Sequence, residues 1–332
     1  MNRLATGRVS IMMSTNDFDK KQVIFVFLNQ GEKVSFSNDN LIVKGSDGKM
    51  KHQSTCYRIF ALFLVGHFTM TSGILQRSRK FGFPIILMTH GFRIYDVIGS
   101  QMEGNTLLRS KQYSFSDLNL ARHFIINKLK NQRWILNQQR GKTNEVKKAI
   151  EDIDGYIASL VDYKGDLYGL LGVEGSAARS YFKNHFNNVD WNGRKPRIKS
   201  DYVNSTLDIG YTLLFSMIEA MLRLYGFDLF QGVLHRQFYM RKSLVCDLME
   251  PIRPIIDEKI KKAINLKQCK EEDFTAVNKR YLLKWEKNTE YVSFLLEPIL
   301  DNKHDIFTYV QSYYRKFMKD SKPEDFPVFE MS

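Results

Sequence analysis

The spacing of hydrophobic positions changes near residue 104 and divides the chain into two parts. Between residues 22 and 100, short runs of β-branched and aromatic residues are separated by turn sequences such as Asn29-Gln30-Gly31. These runs predict strands, and the apolar run 84–88 after Gly82 predicts a buried one. One short helical pattern interrupts them at 72–82. The first part is therefore predicted to be a small β-rich domain with one helix.

Beyond residue 104, apolar positions recur about every 3.6 residues, which predicts helices. The predicted helices are 118–140, 144–161, one that begins at Asp166, 203–226 and 241–262. Asp117 precedes the first helix and Gly141 ends it, Gly226 ends the fourth, and Pro251 and Pro254 interrupt the last. From residue 271 onward the pattern predicts further helices around a short apolar piece at 281–285. The predicted fold is α+β and multidomain, with a β-rich domain at 1–102 and a larger all-α domain at 103–332.

The apolar stretch 59–75 is the segment that most resembles a membrane span. Arg58 and Arg77 bound it, and glycine, histidine, threonine and serine residues interrupt it from Gly66 to Gly73. We interpret it as a buried strand that leads into a helix, because a span needs a longer uninterrupted apolar run. No membrane association is predicted.

The chain gives no sign of export. Its first residues do not contain the apolar core of a signal peptide. The three cysteines (Cys56, Cys246 and Cys269) form no Cys-x-x-Cys pair, which argues against a structural zinc site. Both observations agree with a reducing cytoplasm, so we predict a cytoplasmic protein.

Charge then narrows the range of partners. Lys and Arg number 49 against 36 Asp and Glu, a formal net charge of +13. Such an excess favours nucleic acid or an anionic surface as partner, although it does not predict a fold.

Four residues with ligand chemistry lie in segments that otherwise resemble packed helix: Glu174, His235, Asp247 and Glu250. Burying carboxylates among apolar neighbours is costly unless a cation neutralises them, and a divalent metal ion would do so. Asp247 and Glu250 are three residues apart and so share a helix face. An oxygen-rich set with one imidazole suits Mg²⁺ or Mn²⁺, which can bind a scissile phosphate and activate a hydroxyl.

Each of these residues also has an explanation that needs no metal. A helix dipole or a nearby arginine would account for the acidic pair, and a histidine in an apolar loop is more often a hydrogen-bonding core residue. Glu174 lies between glycines and alanines, which would allow close approach of either another helix or a phosphate backbone. Glycine inside a helix costs stability, so packing or function must require it there.

Basic residues cluster beside the same segments, as expected of a protein that contacts phosphates. Those we expect to bind DNA are Lys183, Arg194, Arg197, Arg236, Arg241, Lys242 and Arg253, with Lys195 and Lys199 between them. Aromatic residues are interleaved, and one or two of them could stack on a splayed base.

Three motifs follow one another along the chain: EGSAARSYF at 174–182, RKPRIKSDYVNSTLDIGYTLL at 194–214 and GVLHRQFYMRKSLVCDLMEPIRP at 232–254. Together they resemble a known family, the CRISPR-associated spacer-acquisition integrase that is the universal first Cas protein. The last is similar to the family pattern Gly-x-x-His, a spacer, then Ser-Leu-x-x-Asp-Leu-x-Glu-x-x-Arg-Pro. The N-terminal half resembles the β-sandwich domain of the family, and its details are most similar to members found beside type V effectors.

The resemblance implies a site, partners and an activity. Its metal ligands carry over to Glu174, His235 and Glu250, with Asp247 as an auxiliary acid. Because relatives often have Asp at the last position, the choice between Asp247 and Glu250 stays open. The resemblance implies a homodimer that forms a complex with the small second Cas protein. That complex joins short double-stranded DNA to a CRISPR repeat in antiviral defence.

We therefore expect a metal-dependent DNA integrase and endonuclease in which a DNA 3′ hydroxyl attacks a repeat phosphodiester. Two alternatives stay open: a stand-alone metal-dependent endonuclease on branched DNA, and a non-enzymatic DNA-binding scaffold with structural acids. The sequence does not specify the spacer length, the flanking motif or the leader.

Overall fold

A computed structural model of the chain describes residues 13–68, 72–99, 104–235 and 239–331. The β-rich part contains α1 (Thr15–Asp19), β1 (Gln22–Leu28), β2 (Lys33–Ser37), β3 (Asn40–Lys44), β4 (Met50–Thr55), β5 (Ile59–Gly66), α2 (Ser72–Phe81), β6 (Pro84–Met88) and β7 (Ile94–Gly99). The strands and α2 thus lie where the alternation of apolar runs and turns predicts them, whereas the short helix α1 was not predicted.

These strands form two sheets that pack against each other. One has the order β1-β5-β6-β7, with β1, β5 and β6 parallel and β7 antiparallel, and the other is the antiparallel meander β2-β3-β4. Leu41 and Val43 of the meander share a buried cluster with Leu62 and Leu64 of β5. The predicted sandwich-like arrangement is confirmed. Every residue of β5 is buried, because both faces of its sheet are covered.

The stretch 59–75 proves to be β5 followed by α2, with residues 69–71 outside the described part of the chain. This agrees with a buried strand rather than a membrane segment. Among the described residues, none of the helices has the length and apolarity needed to cross a bilayer.

The larger part is helical, as predicted. Its elements are α3 (Thr106–Ser114), α4 (Leu118–Gln138), α5 (Asn144–Val161), α6 (Leu167–His185), α7 (Tyr202–Tyr225), α8 (Ser243–Met249), α9 (Pro254–Asn265), β8 (Phe274–Val277), β9 (Arg280–Leu283), α10 (Asn288–Asp301) and α11 (Lys303–Met318). The antiparallel hairpin β8–β9 is an addition to the all-α prediction. Its strands are four residues each, too short for a periodicity to be recognised.

Caps explain why the helices begin and end where they do. The side chains of Asp117, Thr143, Asp166 and Asp201 each accept a backbone N–H in the first turn of α4, α5, α6 and α7. Gly226 ends α7 in the left-handed conformation, with φ of 82°.

One buried cluster joins the two parts. Phe18 stacks on Phe307 of α11 with ring centroids 4.2 Å apart, and Phe60 and Phe63 of β5 belong to the same cluster as the buried face of α7. The predicted boundary between residues 102 and 103 lies at undescribed residues, so the division stays a prediction.

Candidate functional site

A cleft of about 1910 Å³ collects most of the residues singled out by the sequence. The helices α4, α6, α7, α8 and α9 line it, together with the turn at 91–94, the loop at 191–199 and the hairpin β8–β9. Glu174, His235 and Glu250 all face it. Asp247 does not line it.

Glu174 reaches the cleft from the middle of α6. Its side chain is 24% exposed, and Gly175, Ala178 and Arg179 lie beside it along the cleft. A Cβ atom built on Gly172 or Gly175 would meet no neighbour within 4 Å. At Gly172 and Gly175 close packing by another helix is therefore ruled out among the described residues, while approach of a phosphate backbone stays open. Ala177, in contrast, is fully buried in a core that α6 shares with α4 and α5.

Asp247 has a positioning role that its spacing alone did not reveal. It is fully buried, and one oxygen accepts the backbone N–H groups of Val233 and Leu234. Its other oxygen accepts the N–H of His235 at 2.9 Å and contacts the Nδ1 of that ring at 2.7 Å. Asp247 thus fixes the backbone at residues 233–235 and orients the imidazole of His235. Nε2 is the ring nitrogen left to bind a metal ion.

Glu250 follows directly on α8 and is held by two cations. Its Oε1 accepts from Nε of Arg253 at 2.9 Å, and its Oε2 accepts from Nζ of Lys128 at 2.7 Å. The same ammonium group also donates to Oε1 of Glu174. One lysine therefore bridges the two carboxylates.

These contacts set the charge of the group. Burial by itself would raise the pKa of Glu250, but the charges of Arg253, Lys128 and His235 outweigh it and lower the pKa to about 2. Burial likewise disfavours the ammonium of Lys128, yet the two carboxylates raise its pKa above the ordinary value. Glu250 and Lys128 are both charged near neutral pH.

The sequence analysis missed Lys128, although a signal was present. The buried face of α4 carries Leu120, Ala121, Phe124, Ile125 and Leu129. Lys128 occupies the same face, four residues after Phe124. A lysine inside an apolar stripe is almost never buried unless it is paired, so its position indicated an acidic partner without identifying it.

The donor set fits a divalent cation. Glu174 and Glu250 together already hold one cationic group, and His235 presents an imidazole oriented by a carboxylate, as in many metal sites. In their present positions, however, no three carboxylate, imidazole or thiol groups of the described ranges stand close enough to bind one ion. The ammonium of Lys128 lies between the two carboxylates instead.

The predicted DNA-binding residues fall into three groups. Lys183, Arg197 and Arg241 line the cleft. Arg194 and Arg253 also line it but are ion-paired, Arg194 to Asp208 at 2.6 Å and Arg253 to Glu250 at 2.9 Å. Lys242 does not line the cleft and is paired with the buried Glu219 at 2.6 Å. Arg236 lies outside the described residues. Three further cations that the sequence analysis did not select also line the cleft: Arg93, Arg179 and Arg280. Arg93 and Arg280 come from distant segments, whereas Arg179 lies in the same motif as Glu174 and was overlooked.

The loop at 192–200 is fixed by the first turns of α7. Asn204 is fully buried; its Oδ1 accepts from Arg194 at 3.0 Å and from the N–H of Lys195 at 2.8 Å, and its Nδ2 donates to the carbonyl of Gly193 at 3.1 Å. Asp208 accepts from Arg194 and from the N–H of Arg197. The loop cations are therefore presented by a preorganised backbone.

Tyr211 organises the wall behind the acidic residues. The guanidinium of Arg253 lies 4.6 Å from the centre of its ring and that of Arg194 lies 5.3 Å away. Its hydroxyl donates to the buried Asp257. Burial raises the pKa of Asp257 to about 6, although the hydrogen bond from Tyr211 lowers it.

With this geometry described, comparison with known proteins gives a family. The sequence profile of "CRISPR associated protein Cas1" matches residues 25–295. The chain belongs to the Cas1 family. The family resemblance inferred from the three sequence motifs is confirmed.

Relatives at the level of sequence agree. A "CRISPR-associated exonuclease Cas4/endonuclease Cas1 fusion" of Geobacter sulfurreducens is 29% identical over 286 residues, which cover 76% of this chain and 49% of the fusion. "CRISPR-associated endonuclease Cas1 1" of Francisella tularensis subsp. novicida is 31% identical over 240 residues, covering 69% of this chain and 75% of the relative. The chain thus spans about half the length of the Geobacter Cas1 fusion.

Solved structures share the Cas1 fold at low sequence identity. A chain of a "Cas6-RT-Cas1--Cas2 complex" superposes with a TM-score of 0.79 and 23% identity, over 94% of this chain and 36% of that one. A "Casposase bound to integration product" gives a TM-score of 0.74 and 17% identity, over 94% and 96% of the two chains.

Proposed function

We propose that this protein is a metal-dependent DNA integrase and endonuclease that inserts short DNA fragments into a CRISPR repeat array. One observation carries the proposal: Glu174, Glu250 and His235 line a single cleft whose other charged lining residues are mainly cationic. Membership of the Cas1 family supports it, as does the shared fold with a casposase described as bound to an integration product.

In this proposal Glu174, Glu250 and Nε2 of His235 hold Mg²⁺ or Mn²⁺. Bound there, the ion would polarise the scissile phosphate, lower the pKa of the attacking hydroxyl and stabilise the leaving oxygen. Asp247 acts through His235, because it fixes the tautomer and orientation of the ring. Its exchange for Asn should therefore weaken rather than remove metal binding.

The protein residues supply position and charge. Cations along the cleft, among them Lys183, Arg197 and Arg241, would hold phosphates of the two DNAs so that a 3′ hydroxyl faces a repeat phosphodiester. One phosphorus–oxygen bond forms as another breaks. The proton lost by the attacking hydroxyl is balanced by the proton gained by the leaving oxygen, so no external energy source is needed.

We also propose a homodimer that assembles with the small second Cas protein, since a neighbour of the same fold is described in complex with Cas2. An incoming DNA has two ends, and two copies of this chain would hold them a fixed distance apart. The β-rich part is our candidate for the self-contact, because strands β1 and β7 end the four-stranded sheet and must be covered or paired. A cytoplasmic location is part of the same proposal.

An in vitro strand-transfer assay tests the function. The purified full chain, with and without the second Cas protein, is mixed with short duplex DNA and a supercoiled plasmid that carries a repeat. Joined product with 3′-hydroxyl ends, and none with 3′-deoxy ends, would support integration. Nicked plasmid without joining would support an endonuclease with water as nucleophile, and binding alone would support the scaffold.

The ligand assignment has its own test within this assay. We expect Glu174→Gln, His235→Ala and Glu250→Gln each to abolish joining while duplex binding persists. Gln is preferred to Ala at position 250, because Ala would leave the buried Lys128 and Arg253 without their shared partner. Near-normal joining by Glu250→Gln together with loss in Asp247→Asn would transfer the third ligand to Asp247.

A further inference from the structure

The ammonium group of Lys128 lies between the carboxylates of Glu174 and Glu250 in the cleft. It donates to Oε1 of Glu174 and, at 2.7 Å, to Oε2 of Glu250. The side chain of Lys128 is only 9% exposed, and that of Glu250 is 8% exposed. This is the position of a cation shared by two carboxylates.

A divalent ion and this ammonium group cannot both occupy that position. Carboxylate ligands approach Mg²⁺ or Mn²⁺ to roughly 2.1 Å, closer than an ammonium hydrogen bond. A second positive group at contact distance would also repel the ion strongly in a buried site. Binding of an ion by Glu174 and Glu250 therefore requires Lys128 to leave.

We propose that Lys128 is the resident cation of this site, which a divalent ion displaces into the cleft when it binds between Glu174 and Glu250. The inference rests on the proposed metal-dependent function. It assigns Lys128 a positioning role: the lysine keeps the carboxylates together before the ion arrives, and then becomes a phosphate-binding cation.

The surroundings of Lys128 allow this movement. The lysine side chain is a flexible four-carbon stem with a compact charge. It lines the same cleft as Gly175, which has no side chain, and Ala178, so there is room beside Glu174. Displacement would add a free cation to the cleft, so metal binding should strengthen DNA binding.

Arg253, the other cation on Glu250, is not the one to move. Its Nε donates to Oε1 of Glu250 at 2.9 Å, and its guanidinium carbon lies 4.6 Å from the centre of the Tyr211 ring. It does not stand between the carboxylates, so an ion can bind without disturbing it.

Lysine labelling tests the displacement directly. The wild-type full chain is acetylated briefly with and without saturating Mg²⁺ at constant ionic strength, and the modified lysines are quantified by mass spectrometry. We expect a several-fold rise at Lys128. The internal control is Lys242, a partly buried lysine paired with Glu219 at 2.6 Å, whose labelling should not change. Unchanged labelling of Lys128 would overturn the proposal.

A second measurement uses Mn²⁺ alone as the probe. Lys128→Met keeps the apolar stem but removes the competing cation, so its affinity for Mn²⁺, measured by electron paramagnetic resonance, should rise by about tenfold or more. The matched control Lys259→Met, which removes a partly buried lysine paired with the exposed Glu297 outside the cleft, should bind Mn²⁺ as the wild type does. Equal or weaker Mn²⁺ binding by Lys128→Met would overturn the inference. The labelling experiment decides if this variant fails to fold.

Failure of this inference and failure of the proposed function are distinguishable. If the wild type joins DNA in Mg²⁺ while Lys128 labelling stays constant, the ion binds without displacing the lysine and the proposed function stands. If labelling of Lys128 rises with Mg²⁺ but no DNA is joined or nicked, the cation exchange is supported and the proposed activity is not.

Discussion

Two buried carboxylates, Glu219 and Glu250, are tolerated because each is paired with cations. Glu219 is buried and accepts from both Arg223 and Lys242, in the same way that Glu250 accepts from Lys128 and Arg253. Removing one member of such a group costs about 3–5 kcal/mol, because the remaining charge stays buried without compensation. Variants that keep size and polarity are therefore the informative ones at these positions.

Gly175→Ala is predicted to stabilise the protein and weaken its binding to DNA. Alanine in place of a helical glycine should add about 0.5–1 kcal/mol of stability, since its Cβ meets no neighbour. In the cleft beside Glu174, the same methyl group would hinder a phosphate backbone. Denaturant unfolding and a duplex-binding titration measure the two effects.

Gly155→Ala on the exposed side of α5 is the matched control for that variant. It should give the same gain in stability with unchanged affinity for DNA. If both variants bind the duplex equally well, the phosphate backbone does not run past Gly175.

At the scale of elements, the loop at 192–200 depends on Asn204 of α7, which does not line the cleft. Asn204 satisfies Arg194, Lys195 and Gly193 at once. Because the loop is already ordered, its cations would contact DNA without a further loss of conformational entropy.

Asn204→Ala is predicted to lower the affinity for DNA about tenfold, because the loop would then lose its fixed shape before binding. Fluorescence anisotropy with a labelled duplex measures this. Asn188→Ala, which breaks an exposed hydrogen bond to Asn265, is the control and should bind normally. Wild-type affinity in Asn204→Ala would mean that the loop does not contact DNA.

The contact between α6 and α9 is predicted to make the fold sensitive to acid. His185 is buried, its Nε2 donates to the carbonyl of Asp257 at 3.0 Å, and burial lowers its pKa to about 3 from 6.5. In the unfolded chain His185 therefore binds a proton below pH 6.5, whereas in the folded chain it stays neutral down to about pH 3. This histidine should cost about 2 kcal/mol of stability between pH 6.5 and 5.

Comparison with His185→Phe isolates that effect, since the pKa of Asp257 is raised to about 6 and its titration acts in the opposite direction over the same range. Urea unfolding at pH 7 and pH 5 should give a smaller loss of stability on acidification for the variant than for the wild type. Equal losses would show that His185 gains its proton without unfolding.

At the scale of the whole molecule, the β-rich and helical parts share one buried cluster. Phe60 and Phe63 of β5 and Phe307 of α11 belong to it. A chain that started near Gly104 would expose this face, so loss of dimerisation in such a truncation would not locate the interface. Sedimentation of the full chain is the appropriate measurement.

Affinity for DNA is predicted to fall steeply with salt, because the cleft cations displace counterions from phosphates. Replacing Lys183, Arg197 and Arg241 together by Gln should reduce the slope of log affinity against log salt by about 3 if each contacts a phosphate. The slope is measured by duplex titration across a range of salt concentrations.

Replacement of three exposed lysines outside the cleft, Lys33, Lys44 and Lys319, is the control and should leave the slope unchanged. An equal reduction by both triple variants would show that the DNA follows a surface other than the cleft.

Local sequence rules identified most of the helices, although not α1 or α3, together with the strands of the sandwich and the segments that carry Glu174, His235 and Glu250. Each of these features depends on residues close together in the chain: Asp166 caps α6, Gly226 ends α7, and the spacing of Asp247 and Glu250 follows from one helical turn. The hairpin β8–β9 was not predicted, because strands this short gain their stability from neighbours rather than from a pattern.

Tertiary structure alone decided how those residues are used. Lys128 stands 46 and 122 positions from the two carboxylates it bridges, and no local rule connects such distances. The same holds for Asp247: its spacing fits a ligand, but the backbone N–H groups folded against it make it a support for His235. A pattern specifies which side chains share a face, whereas the partner of a buried charge is chosen only when distant segments pack together.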